Sequence, residues 1–117
     1  MDNDCLFCKI ALGEIPAKLV YHDEQLVAFR DINPVAPTHI LLIPRRHLAS
    51  LDEALDGDQD GALLGALLLV AARLARDEGL AERGYRVVAN TGPHAGQSVP
   101  HLHFHLMGGR AMSWPPG

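Results

Sequence analysis

The sequence has no basic excess. Ten lysines and arginines stand against fourteen acidic residues, giving a formal net charge of -4 at pH 7. Broad binders of nucleic acid or anionic membrane need a positive field, so neither partner is expected. An anionic ligand must instead be held by local geometry. The amino terminus, Met1-Asp2-Asn3-Asp4, lacks the basic and apolar stretches of a secretory leader. The longest apolar run, Ala62 to Ala75, is broken by Gly65 and Arg73 and is too short to span a bilayer. Repeats, low-complexity tracts and linkers are missing as well. A reducing, cytoplasmic setting is therefore expected. With only Cys5 and Cys8 present, a disulfide framework is not.

What is present fits a single domain over residues 1–117, 48% apolar and 21% charged. A chain this size leaves much of its surface uncovered, so burial between two copies would help. Cys5 to Gly13 reads as a short helical or turn-like lead-in. Lys18–His22 and Gln25–Arg30 are strand-like runs around Asp23-Glu24, which suits a hairpin. Asp31–Pro34 and Ala36-Pro37 form a rigid turn before Thr38–Pro44, an apolar strand ended by proline. Asp58 to Asp77 reads as the one long helix, acidic at its start and carrying Arg73 and Arg76 near its end, in accord with the helix dipole. Its polar stripe is narrow, so it wants burial on more than one side: a sheet on one flank, a second subunit on another. Tyr85–Asn90 and Val99–Met107 complete five strands. Hairpin order with one helical excursion predicts an α+β fold on an antiparallel sheet.

The most informative stretch is His101-Leu102-His103-Phe104-His105-Leu106. On a strand, three imidazoles would share one face about 6.5–7 Å apart, while Leu102, Phe104 and Leu106 face a core. Three rings side by side are a poor choice for stability, because they repel once protonated. Two functional readings follow. One is a three-histidine metal centre. The other is catalysis in which one neutral imidazole attacks while others orient or stabilise. The loop just upstream, Asn90 to Ser98 with Gly92 and Gly96, favours the second, since backbone amides in such a loop can cradle a phosphate.

These segments together resemble the histidine triad nucleotide-binding family, specifically its Hint-like branch. The resemblance runs through Cys5-Leu-Phe-Cys-Lys-Ile10, Phe29-Arg-Asp-Ile-Asn-Pro34, Pro37-Thr-His39, Ile43-Pro-Arg-Arg-His47, Gly96-Gln-Ser-Val99, the triad itself and the closing Trp114-Pro-Pro-Gly117. It implies a homodimer that binds purine nucleotides and hydrolyses phosphoramidates, releasing AMP from adenylated amines through a covalent nucleotidyl-histidine. The nucleophile would be His103, with His105 on the α-phosphate and His101 in support. Asp31 would hold the ribose, and Phe7, Ile10, Phe29 and Ile32 would line the base pocket. Asn90, Gly96, Gln97 and Ser98 would surround the phosphate and leaving group, and Trp114 would reach toward the partner's site. Activity should fall on the acidic side as His103 gains a proton. A dinucleoside polyphosphate hydrolase, a nucleotidyl transferase and a non-catalytic nucleotide-sensing module are the alternatives.

Cys5-x-x-Cys8 reads as a disulfide, a redox pair or half of a zinc site. The reducing setting disfavours the first, and the missing thioredoxin-like strand disfavours the second. His47 is a candidate third ligand. Zinc-bearing relatives complete the site with the first triad histidine, here His101, so a structural zinc on Cys5, Cys8, His47 and His101 is expected, with no organic cofactor. The zinc assignment competes with a second role. Zinc-free relatives use the positions of His47 and His101 as a hydrogen-bonded relay, and one nitrogen cannot serve both. His39 is expected to be a satisfied core histidine, and His22 and His94 to be exposed.

Overall fold

Local sequence signals fix most of the elements. In the computed structural model, which describes residues 4–57 and 59–117, helix α1 spans Leu6–Ala11 and helix α2 Asp60–Asp77. The five strands are β1 (Leu19–His22), β2 (Leu26–Arg30), β3 (Thr38–Pro44), β4 (Tyr85–Val88) and β5 (Phe104–Gly108). The terminal Met1–Asn3 and Asp58, read above as part of the acidic terminus and as the helix start, lie outside the described residues. The Asp23 carboxylate turns the first hairpin, accepting from the Gln25 and Leu26 amides at 2.7 and 3.0 Å. This side-chain acceptor adds to the backbone bond across the turn, in which the Asp23 amide donates to the Leu26 carbonyl at 3.0 Å.

The sheet is antiparallel throughout, in the order β1-β2-β3-β5-β4. The chain leaves β3, crosses through α2, returns as edge strand β4, and inserts β5 between β3 and β4. Period-two alternation then sorts the side chains. Leu26, Ala28, Ile40, Leu42, Phe104 and Leu106 face α2, which buries Leu63, Leu67, Val70, Ala71, Leu74 and Ala75 against them. The opposite face carries Val27, Phe29, Leu41 and Ile43, and α1 covers it with Phe7 and Ala11. His39 on β3 and His105 on β5 fall on this second face by the same alternation. The β3–β5 register pairs Leu41 with His105 and His39 with Met107, which leaves the two histidines diagonal neighbours within side-chain reach.

Some boundaries move. The fifth strand begins at Phe104, not Val99. Pro100 offers no N–H to a ladder, and the His101 amide bonds the Val99 carbonyl at 2.8 Å in a tight turn. The fourth strand ends at Val88, short of Asn90. Two 3-10 segments, Leu51–Asp56 and Pro93–Ala95, were not expected. The sheet covers one flank of α2, as its narrow polar stripe requires, and Leu68 and Leu69 stay exposed on another.

Candidate active site and metal centre

The tight turn at Val99–His101 sends the three triad rings to different places. Leu102 and Phe104 enter the core under α2. Of the triad only His105 lies on β5; His101 and His103 precede the strand and pack against Phe7 of α1. The His103 Nδ1 lies 2.7 Å from the backbone carbonyl of His101. A carbonyl can only accept, so Nδ1 carries the proton and Nε2 keeps its lone pair. Phe7 packs edge-on to the ring at 5.1 Å and holds its plane.

His105 is oriented by a chain of donors. The Val35 amide donates to Nδ1 of His39 at 3.1 Å, so the proton of neutral His39 sits on Nε2. That nitrogen lies 2.9 Å from Nδ1 of His105, which must accept, leaving His105 with an Nε2–H donor. Burial, then the neighbouring His103 and His39, lowers the His105 pKa to about 4, and burial also lowers that of His39. Both rings are therefore neutral near pH 7. Asp31 stands beside them, with Oδ2 at 3.4 Å from His39 Nε2 and Oδ1 accepting from the Asn33 amide at 2.8 Å. Asp31, His39 and His105 could hold a metal by proximity alone. The proton on His39 Nε2 removes the lone pair such an ion would need. His39 is the satisfied buried histidine expected, and in addition it sets the tautomer of His105. Sequence order hid that second role; its one signal was a polar side chain inside an apolar strand.

His103 and His105 open on a cavity of about 270 Å³, lined also by Phe7, Ile10, Phe29, Asp31, Ile32 and Ser98. Eight of the residues singled out in the sequence thus meet in one apolar-walled space with polar groups at one end. Four of the expected nucleotide contacts do not line it. Asn90 lies beyond the end of β4, and Gly96 sits in the loop at φ 79°, where glycine is favoured. Trp114 is 80% exposed. The Gln97 amide is committed to bracing: its Nε2 donates to the Ala49 and Val99 carbonyls at 2.7 and 3.0 Å, and its Oε1 accepts from the Gly92 amide at 3.0 Å.

His101 does not line the cavity and turns instead toward Cys5 and Cys8 at the start of α1. Its Nε2 lies 2.9 Å from the Pro44 carbonyl and so carries the proton, leaving the Nδ1 lone pair aimed at Cys5, Cys8 and His47. The His101 Nδ1 is 3.2 Å from Cys5 Sγ, 3.4 Å from Cys8 Sγ and 3.2 Å from His47 Nδ1. Cys8 Sγ is 3.3 Å from His47 Nδ1, and all four donor atoms lie within 4.8 Å of one another. Tetrahedral zinc with nitrogen and sulfur ligands sets donor separations of roughly 3.3–3.8 Å, and the 3.2–3.4 Å separations here lie close enough for this set to suit such an ion. Burial, then Cys5, pushes the Cys8 thiol up to about 11; a divalent cation would favour the thiolate instead. What reaches His103 from His101 is a carbonyl, not a ring, so no imidazole relay passes between them.

The geometry can be set beside known proteins. The HIT domain matches residues 12–112. A 14 kDa zinc-binding protein of Zea mays is 53% identical over 116 residues, covering 99% of this chain and 90% of its own length. The adenylylsulfatase HINT1 of Arabidopsis thaliana is 50% identical over 118 residues, covering 99% of this chain and 78% of its own. A HIT family hydrolase from Legionella pneumophila superimposes with a TM-score of 0.93 at 54% identity, over 97% of this chain and 100% of that one.

Proposed function

Because the chain belongs to the HIT domain family, we propose that it is a nucleotide hydrolase that cleaves purine nucleoside 5′-phosphoramidates through a covalent intermediate on His103. The observation that carries this is the His101 carbonyl on His103 Nδ1 at 2.7 Å, which leaves Nε2 as a neutral nucleophile in an apolar-walled cavity.

In the first step His103 Nε2 attacks the α-phosphorus, the P–N bond breaks, and the amine leaves with a proton taken up from solvent water, while His103, still carrying Nδ1–H, becomes the cationic nucleotidyl-imidazolium. The Ser98 hydroxyl on the cavity wall is the group offered to that amine. The Nε2–H of His105 donates to a non-bridging phosphate oxygen, where charge builds up. In the second step water attacks the phosphorus and gives up one proton to solvent, the P–Nε2 bond breaks, and AMP departs with His103 neutral again. Asp31 accepts from the ribose hydroxyls, and Phe7, Ile10, Phe29 and Ile32 enclose the base. The exposed Ile32 and Trp114 suit a homodimer in which a second copy covers the cavity mouth. The name of the Arabidopsis relative favours a second substrate class, adenylyl sulfate. That reaction would share the first step, with sulfate leaving in place of an amine.

Zinc is the metal the Cys5–Cys8–His47–His101 set suits, through two thiolates and two Nδ1 atoms. Bound there, it would cross-link structure and supply no reaction chemistry. Elemental analysis of protein purified without chelator is expected to find about one zinc per chain, and Cys5→Ser with Cys8→Ser to remove it; wild type without zinc would refute the assignment.

The functional test is AMP release from adenosine 5′-phosphoramidate and from adenylyl sulfate. Wild type is expected to turn over at least one, and His103→Ala neither. Unchanged turnover in His103→Ala would end the covalent-histidine reading. AMP binding without turnover of either would leave a sensing module.

A further inference from the structure

We infer that the cysteine–histidine cluster and the nucleotide cavity form one coupled unit, so that zinc in the first and a nucleotide in the second strengthen each other's binding. The inference rests on the nucleotide and zinc readings above, and two physical routes carry it.

The first route is His101, which serves both sites with different atoms. Its ring Nδ1 completes the cluster, while its carbonyl fixes Nδ1–H of His103. The ring is fully buried and gripped on its far side by the Pro44 carbonyl. Anything that fixes Nδ1 therefore fixes the whole residue, and with it the carbonyl that aims the nucleophile. The adjoining backbone is tied the same way, since the Leu102 amide donates to the Leu48 carbonyl at 2.6 Å, one residue from His47.

The second route is α1. Its six residues are too few to be helical on their own strength. Cys5 caps the helix, accepting from the Cys8 amide at 3.3 Å, and Cys8 lies in its first turn. Between them Phe7 packs on His103 and, at 6.0 Å, on His101. Leu6, Phe7 and Ile10 from this short helix wall the cavity. The cluster thus pins the helix that supplies the cavity wall to the segments that supply the histidines. An ion bound there orders in advance what a nucleotide must otherwise order, which is preorganisation. Thermodynamic linkage then requires the effect to be reciprocal.

Calorimetric titration of the full chain with AMP, with one equivalent of zinc and after chelator stripping, measures the coupling. Zinc-loaded protein is expected to bind AMP about tenfold tighter. Saturating AMP should raise zinc affinity by the same factor, read by competition with a metal-indicator dye. Equal AMP affinities in the two states, with circular dichroism unchanged by stripping, overturn the inference. Should the stripped protein unfold, His47→Ala gives a milder perturbation at the exposed ligand. Its AMP affinity is expected to be weak at equimolar zinc and to recover in excess zinc; no recovery with zinc bound overturns the inference. Failure of the nucleotide reading is separable. If AMP binds neither form, the His103 Nδ1–H resonance still reports, being expected sharp with zinc and broadened without. A resonance indifferent to zinc overturns the coupling by itself.

Discussion

Replacing Gln97 by methionine separates two roles for this residue. The change keeps the side chain's length and removes its three hydrogen bonds, to Ala49, Val99 and Gly92. Each such bond is worth about 1 kcal/mol net. Gln97 is half-buried, so water replaces part of the loss and the total comes to about 2 kcal/mol. For a domain of this size that lowers the unfolding temperature by about 8 °C. The three partners belong to the segment after β3, the glycine loop and the entry to the triad, so the loss is one of bracing. AMP affinity should fall only about threefold, roughly 0.7 kcal/mol, because Gln97 does not line the cavity. Differential scanning calorimetry and AMP titration on the same preparation provide the check. An unfolding temperature within about 2 °C of wild type, with AMP affinity down more than tenfold, would show that Gln97 acts on the phosphate and refute the bracing argument.

Two further outcomes follow from burial and exposure. His105, with its pKa lowered to about 4, and His39, lowered by burial, resist protonation in the fold, while the unfolded chain takes up those protons near pH 6.5. The unfolded state binds more protons in that window, so stability falls as pH drops from about 7 toward 4. Thermal unfolding at pH 7 and pH 5 measures this, and His105→Asn should lose less between them; an equal loss would count against it. Leu69, 68% exposed on α2 beside Leu68, should lie in the homodimer interface, so Leu69→Asp is expected to sediment as a monomer where wild type does not; a monomeric wild type would contradict the dimer.

The hairpin, β3 and α2 were legible because each announces itself locally, by alternation, by an unbroken apolar run or by a narrow polar stripe. The triad was legible for the same reason, with Leu102, Phe104 and Leu106 marking the core side. The interruption of its strand was not, because the turn at Val99–His101 depends on Pro100 and on a bond two residues apart. The contact of His39 with His105 joins residues 66 apart and exists only once β3 and β5 are in register. Gln97 carried no local sign of bracing, since two of its partners come from another turn of the same loop and the third from position 49. The bidentate pair of Arg30 with Glu78 at 2.8 and 2.9 Å, joining β2 to the end of α2, was likewise invisible in sequence.

The order of the sheet also bears on how the protein is made. Strand β5 is the last of the five to be synthesised, yet its place is between β3 and β4. Until residues 104–108 emerge, β3 has a bare edge over the five residues Thr38 to Leu42, every one of which is buried in the finished fold. An uncovered apolar edge of that kind invites pairing with the wrong chain. The strand that closes it also delivers His105, so the nascent chain loses its sticky edge and gains its triad in the same event.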